Sequence, residues 1–167
     1  EKSDNTDIYI KQVGSSQLRR LTTDPAPDLV PTWSPDGRQI AFVRAFGPGK
    51  LAIHVVSPLG GPDRKLTDHR PGLGMSWSPD GRWLLVSVAR TFDQTDLYLQ
   101  DRAAEGPLSP VVRDLPNQFE GQLGYGALYI RSNIEGTTYG LYLADPANPV
   151  RDRWRTVVRC ASDSAYM

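Results

Sequence analysis

Trp33-Ser34-Pro35-Asp36-Gly37-Arg38 returns as Trp77-Ser78-Pro79-Asp80-Gly81-Arg82, 44 residues further along the chain. In each box proline presets φ near the turn value and glycine supplies the positive φ that reverses the chain. Each box therefore reads as a turn between two strands. Two further markers keep the same step. An apolar–ring–apolar triplet stands at Ile8-Tyr9-Ile10, Ile53-His54-Val55, Leu97-Tyr98-Leu99 and Leu141-Tyr142-Leu143, at intervals of 45, 44 and 44. A basic pair precedes Leu-Thr at Arg19-Arg20-Leu21-Thr22 and at Arg64-Lys65-Leu66-Thr67, 45 apart. Three markers with one period identify an internal repeat, which decides the fold.

One repeat reads as four strands. The first ends at Trp33, and the second runs from Gln39 to Arg44. The third holds the triplet from Leu51 to Val56, and Ser57-Pro58-Leu59-Gly60-Gly61 turns it into a fourth that ends at Leu66-Thr67. The second strand and its counterpart, Trp83 to Val88, do not alternate strictly, as suits burial on both faces. Four short antiparallel strands per repeat of this length predict an all-β chain, a β-propeller of four-stranded blades.

The boundaries follow from the period. One partial propeller domain spans 1–167, with a half blade at 7–22 and full blades at 31–67 and 75–115. A degenerate blade occupies 121–158. The result is an incomplete ring of about three and a half blades. In the degenerate blade the turn box is gone, and Gln122-Leu123-Gly124-Tyr125-Gly126 stands in its place. The step from second to third strand still holds, because Ile40 to Ile53, Leu84 to Leu97 and Leu128 to Leu141 are each 13 residues. Ala127 to Arg131 is the expected second strand there, and Trp154 to Val158 the last.

Composition fits many short strands, with 15 Gly and 14 Pro marking frequent turns. The 19 basic residues equal the 19 acidic ones, which gives no electrostatic ground for a nucleic-acid partner. No run of 18 apolar residues occurs, so no membrane insertion is expected within the chain. The start, Glu1-Lys2-Ser3-Asp4, reads as that of a mature product or a piece of a longer protein. The single cysteine, Cys160, excludes an internal disulfide and a cysteine-based metal site.

The two boxes, each followed by an apolar strand and a later Leu-Thr, resemble TolB-like bacterial propeller repeats. Asp7 to Arg44, with Leu21-Thr22-Thr23-Asp24-Pro25-Ala26-Pro27-Asp28 before the box, looks like the propellers attached to bacterial serine/threonine kinases and transmembrane winged-helix regulators. The resemblance implies a rigid non-catalytic disc with a protein or peptide partner, on the extracytoplasmic or periplasmic side. The expected function is a protein-interaction or sensor module of a larger bacterial protein. The alternative is the substrate-gating propeller of a prolyl-oligopeptidase-type serine peptidase, whose blades look similar and whose catalytic domain would lie outside this chain. A third alternative is a freely secreted or periplasmic TolB-like scaffold, and self-association through open blade ends is a further expectation.

No catalytic, metal or cofactor constellation emerges. No Gly-x-Ser-x-Gly elbow accompanies His54 or His69. Gly47-Pro48-Gly49-Lys50 lacks the spacing of a phosphate-binding loop. His54 takes the place of Tyr9, Tyr98 and Tyr142 and reads as a packing residue. Asp36 and Asp80 read as turn residues bonding local amides, with Ser34, Pro35, Gly37, Ser78, Pro79 and Gly81 completing the turns. Trp33, Trp77 and Trp83 read as core rings between blades. Topology gathers the linkers and the second-to-third-strand loops at one rim, and so nominates Asp24, Asp28, Arg44, His69, Arg70 and Arg90 as binding residues. A rim of acids and arginines suits a polypeptide, since arginine holds carboxylates in a fork.

Overall fold

The computed structural model describes residues 5–67, 74–104, 108–136 and 138–159. The chain divides into two compact units, Glu1–Pro71 and Gly72–Met167. In the first unit β1 (Tyr9–Lys11) and β2 (Leu18–Arg20) pair as a two-stranded sheet. They are followed by β3 (Asp28–Trp33), β4 (Ile40–Ala45), β5 (Leu51–Val56) and β6 (Arg64–Thr67), which form an antiparallel sheet in chain order. Ile10 of β1, with Ile8 and Leu21 just beside the small sheet, packs with Ile40, Phe42 and Val56 of the larger one.

The second unit repeats the four-stranded plan twice. β7 (Gly74–Trp77), β8 (Trp83–Ala89), β9 (Thr95–Asp101) and β10 (Ser109–Val112) make one sheet. β11 (Phe119–Gly124), β12 (Ala127–Ser132), β13 (Gly140–Ala144) and β14 (Arg155–Arg159) make the next, with a short 3-10 turn at Arg151–Arg153. Leu85, Leu97 and Leu99 from one sheet pack against Phe119, Leu123, Leu128 and Ile130 of the other. The all-β class and the four-stranded blades are as expected from the repeat.

Burial separates the blades. β4 and β9 are buried at nearly every position, on both faces. β12 instead alternates, with Leu128, Ile130 and Ser132 buried and Tyr129 and Arg131 exposed. Its sheet has one covered face and one open face, the pattern of a half-solvated sheet. Arg131 pairs there with Glu120 at 2.8 Å and lies over the Tyr139 ring, 4.0 Å from its centroid.

The two boxes fold into the same hydrogen-bond pattern. Ser34 Oγ donates to Asp36 Oδ1 at 2.6 Å and accepts from the Gln39 amide at 2.9 Å. Asp36 Oδ1 also accepts from the Arg38 amide at 3.0 Å, and the Gly37 amide donates to the Ser34 carbonyl at 2.9 Å. Ser78, Asp80, Gly81, Arg82 and Trp83 reproduce each of these bonds. Gly37 and Gly81 hold φ of 68° and 72°, values that favour glycine. The serine bonds, followed by the backbone amides, keep the Asp36 and Asp80 carboxyls below the usual range.

The third blade departs from the box. Tyr125 and Gly126 close a two-residue hairpin in which Gly124 pairs with Ala127. Gly121 falls where the repeat puts Trp77, and a Cβ there would lie 2.8 Å from Leu85 Cδ2. The close approach of β11 to the Leu85 and Leu97 side chains therefore excludes a large residue. Trp33 differs from its expected role, being 51% exposed. It ends β3, which has a neighbouring strand on one side only, so its ring has little to pack against. Trp77 is half-buried beneath the Arg102 guanidinium, and Trp83 packs against the second unit's core.

Two stability predictions follow from this geometry. Ser34→Ala and Ser78→Ala each strip a part-buried backbone amide, of Gln39 or Trp83, of its side-chain acceptor and lower unfolding stability by about 1–3 kcal/mol, read by urea denaturation. Gly121→Ala overpacks the Leu85 contact and costs about 1–3 kcal/mol in the same assay.

Candidate functional site

Three of the six nominated rim residues meet in the first unit. Register places Asp28 of β3 opposite Arg44 of β4, at the end where the β4–β5 hairpin begins. Arg44 Nε and Nη2 donate to the two oxygens of Asp28 at 2.7 and 3.0 Å. Nη2 and Nη1 also reach the two oxygens of Asp63 at 2.9 and 3.2 Å, and Nη1 reaches Asp24 Oδ2 at 3.3 Å. All five N–H donors of the guanidinium are thereby engaged. The Arg44 side chain is 4% exposed and that of Asp28 is fully buried, whereas Asp24 keeps 35% of its side-chain surface in solvent.

The network has a fourth arm. His54 of β5 donates from Nδ1 to Asp63 Oδ1 at 2.6 Å. Its ring packs on Phe42 and Phe46, with centroids 5.6 and 6.5 Å away. Its Nε2 is buried and meets no hydrogen-bond partner. His54 thus packs as a strand residue and holds an acid as well. The corresponding rings Tyr98 and Tyr142 also meet carboxylates. Burial, and then Asp96 beside Tyr98 and Glu135 beside Tyr142, push those phenols up.

Charge balance explains the arrangement. Three carboxylates surround one guanidinium, and the bonds to Asp28 hold the arginine above its already high ordinary value against burial. Burial raises the Asp63 carboxyl, but the bonds from Arg44 and His54 outweigh it and leave the group below the usual carboxylate range. Among the described residues no three His, Cys, Asp or Glu side chains are arranged to hold a metal ion. The acids here converge on an arginine.

Arg90 builds a separate network in the second unit. Its Nε pairs with Asp96 at 2.9 Å, and Nη2 donates to the Leu115 carbonyl. Asp96 also accepts from the Asp114 amide at 3.0 Å. The arginine ties the β8–β9 hairpin to the segment after β10, much as Arg44 ties its own hairpin to the linker that carries Asp24. The Arg90 side chain is 30% exposed. His69 and Arg70 lie outside the described residues. Sequence reasoning missed Asp63, which has no marker of its own in the repeat.

Two cavities complete the candidate surfaces. In the second unit Met75, Ser76, Ser87, Thr95, Glu120 and Gly121 line a cavity of about 220 Å³, along the inner strands. In the first unit Phe46, Gly49, Lys50, Leu51 and Lys65 line one of about 400 Å³ beside the β4–β5 hairpin.

Truncating Arg44 leaves buried carboxylates without their cation. Arg44→Ala is therefore expected to cost about 3–5 kcal/mol in urea unfolding. Asp63 has a lower carboxyl value folded than unfolded, so its contribution is complete at neutral pH and fades as pH falls through and below about 3.9. Stability of the Asp63→Asn chain should accordingly fall less steeply between about pH 5 and 2, followed by thermal melts.

Residues 65–166, well over half of the chain, match the family described as prolyl oligopeptidase, N-terminal beta-propeller domain. Over 55 residues, 33% of its length, the chain is 44% identical to the Tol-Pal system protein TolB of Syntrophus aciditrophicus (strain SB), and covers 12% of that protein. Its fold is similar to that of a prolyl endopeptidase with a TM-score of 0.77 at 18% identity, over 96% of this chain and 26% of that one. The β-propeller domain of the Trilobed protease from Pyrococcus furiosus gives a TM-score of 0.66 at 16% identity, over 87% of this chain and 45% of that one. The chain spans less than half the length of each. Its sheets are propeller blades, and by the match over 65–166 the chain belongs to the prolyl oligopeptidase N-terminal β-propeller family.

Proposed function

We propose that the chain is a non-catalytic propeller module that receives polypeptide, working beside a serine peptidase domain carried elsewhere in its parent protein. The observation that supports this most is the family match over 65–166. The propeller would control which chains reach the peptidase rather than cut them. Asp28 and Arg44, saturated by their own network, would hold the rim in shape. Asp24 in the first unit and Arg90 in the second keep solvent-facing surface and would make contacts, together with His69 and Arg70 between β6 and β7. An arginine that is only part-buried can still fork onto a peptide carboxylate.

A second reading is favoured by the 44% identity to TolB over 55 residues. There the module would recruit a protein partner, as TolB-like propellers joined to kinases or winged-helix regulators would. The two readings separate on the parent protein. A serine-directed fluorophosphonate probe is expected to label the full-length gene product outside residues 1–167 and to leave the isolated chain unlabelled. An unlabelled full-length protein would remove the peptidase reading and leave the recruitment reading.

A further inference from the structure

The cavity between the two sheets of the second unit is walled by neutral polar groups. Register puts Gly74 and Ser76 of β7 opposite Ser87 and Leu85 of β8, and Ser87 in turn opposite Leu97 of β9. Thr95 stands two residues before Leu97, so its side chain shares that face. Leu85 and Leu97 are the side chains that Gly121 of β11 approaches, so this is the face that looks toward β11. Ser76, Ser87 and Thr95 thus present their hydroxyls to one gap. None of these hydroxyls hydrogen-bonds a described residue, although Thr95 is only 3% exposed. Buried polar groups are paired as a rule, so a hydroxyl left open to a cavity marks where a partner from outside the chain binds.

The other walls set the chemistry of that partner. Glu120 supplies no charge to the gap, because it alternates with Phe119 and Gly121 and turns its carboxylate to the far face, where Arg131 meets it at 2.8 Å. Glu120 and Met75 therefore line the cavity with main chain. β7 and β11 are both edge strands, each with a neighbour on one side only. Their free edges offer main-chain N–H and C=O groups to an added strand. Gly74 keeps the gap open, since a Cβ there would meet nothing within 4 Å.

We propose that this cavity receives the carboxamide side chain of a glutamine or asparagine in an extended peptide, held among the hydroxyls of Ser76, Ser87 and Thr95. A carboxamide carries two N–H donors and a carbonyl acceptor, and hydroxyls both donate and accept. A carboxylate or an ammonium would enter with no counter-charge on the walls, and an aliphatic side chain would bury the hydroxyls unsatisfied. The cavity's volume of about 220 Å³ falls below the ~300–1,000 Å³ of sites for whole small molecules. It suits a single side chain whose main chain runs along a strand edge. The site rests on the peptide-receiving reading above and gives it a side-chain preference.

The test is a titration of the ¹⁵N-labelled chain, followed by amide shifts, with acetyl-Val-Gln-Val-amide, with the same peptide carrying Glu or Met at its centre, and with glucose. Expected are shifts centred on Gly74, Ser76, Ser87 and Gly121, with the Glu and Met peptides weaker by about tenfold or more. Thr95→Val keeps the shape and removes one hydroxyl. It should unfold at or above the wild-type urea midpoint, since that hydroxyl has no described partner to lose, and should shrink the preference for Gln over Met. Gly74→Val fills the gap and should abolish the shifts. Equal affinity of the Gln and Met peptides for the native chain would overturn the proposal. So would glucose binding as tightly as the Gln peptide, or the absence of any shift. Shifts mapping elsewhere would overturn this site yet leave the peptide-receiving reading intact, and the fluorophosphonate result stands independently of every arm.

Discussion

One guanidinium with all five of its donors engaged organises the first unit. Arg44 joins the linker through Asp24, the inner strand through Asp28, and the approach to β6 through Asp63. His54 then braces Asp63 from β5. Four backbone segments that diverge along the chain are brought to one point by directional bonds, where apolar packing alone would let them slide. An arginine suits the place better than a lysine, since a planar fork can meet two carboxylates at once while a point charge cannot. The hydrophobic cluster of Ile8, Leu21, Ile40, Phe42 and Val56 supplies burial, and the ionic network supplies registry.

The second unit solves the same problem with less. Arg90 meets Asp96 and a backbone carbonyl, and most of the ordering falls to side-chain packing around Leu85, Leu97, Phe119 and Leu128. Trp154 extends that core, its indole N–H bonded to the Pro149 carbonyl at 2.9 Å and its ring set edge-on to Phe119. The loss of a turn box in the last blade is made good by a shorter hairpin, and the loss of its inner-strand tryptophan by a glycine that admits Leu85.

Much of the fold was legible because its markers are local. A Trp-Ser-Pro-Asp-Gly run declares a turn from within six residues, and the ring triplet declares a strand from three. Trp33 misled because a tryptophan at a strand end reads as core until its sheet edge is known. The site was harder to read. Asp24, Asp28 and Arg44 were visible as rim residues, yet nothing in their spacing announces that they meet. Asp63 sits in the β5–β6 loop, where the next repeat has Pro107 at the same step, and only the pairing of β5 with β6 brings it to Arg44 and His54.

The turn boxes carry one more consequence. Every bond that shapes them begins and ends inside the same short segment, so neither box depends on which sheet stands beside it. A gene segment encoding such a repeat can be copied, lost or exchanged, and the new neighbour inherits a turn that already works. Selection is then free to rewrite the surfaces between copies while the turns stay constant. The last blade has no such box and turns on Tyr125 and Gly126 instead, in a sheet with the same four-stranded plan.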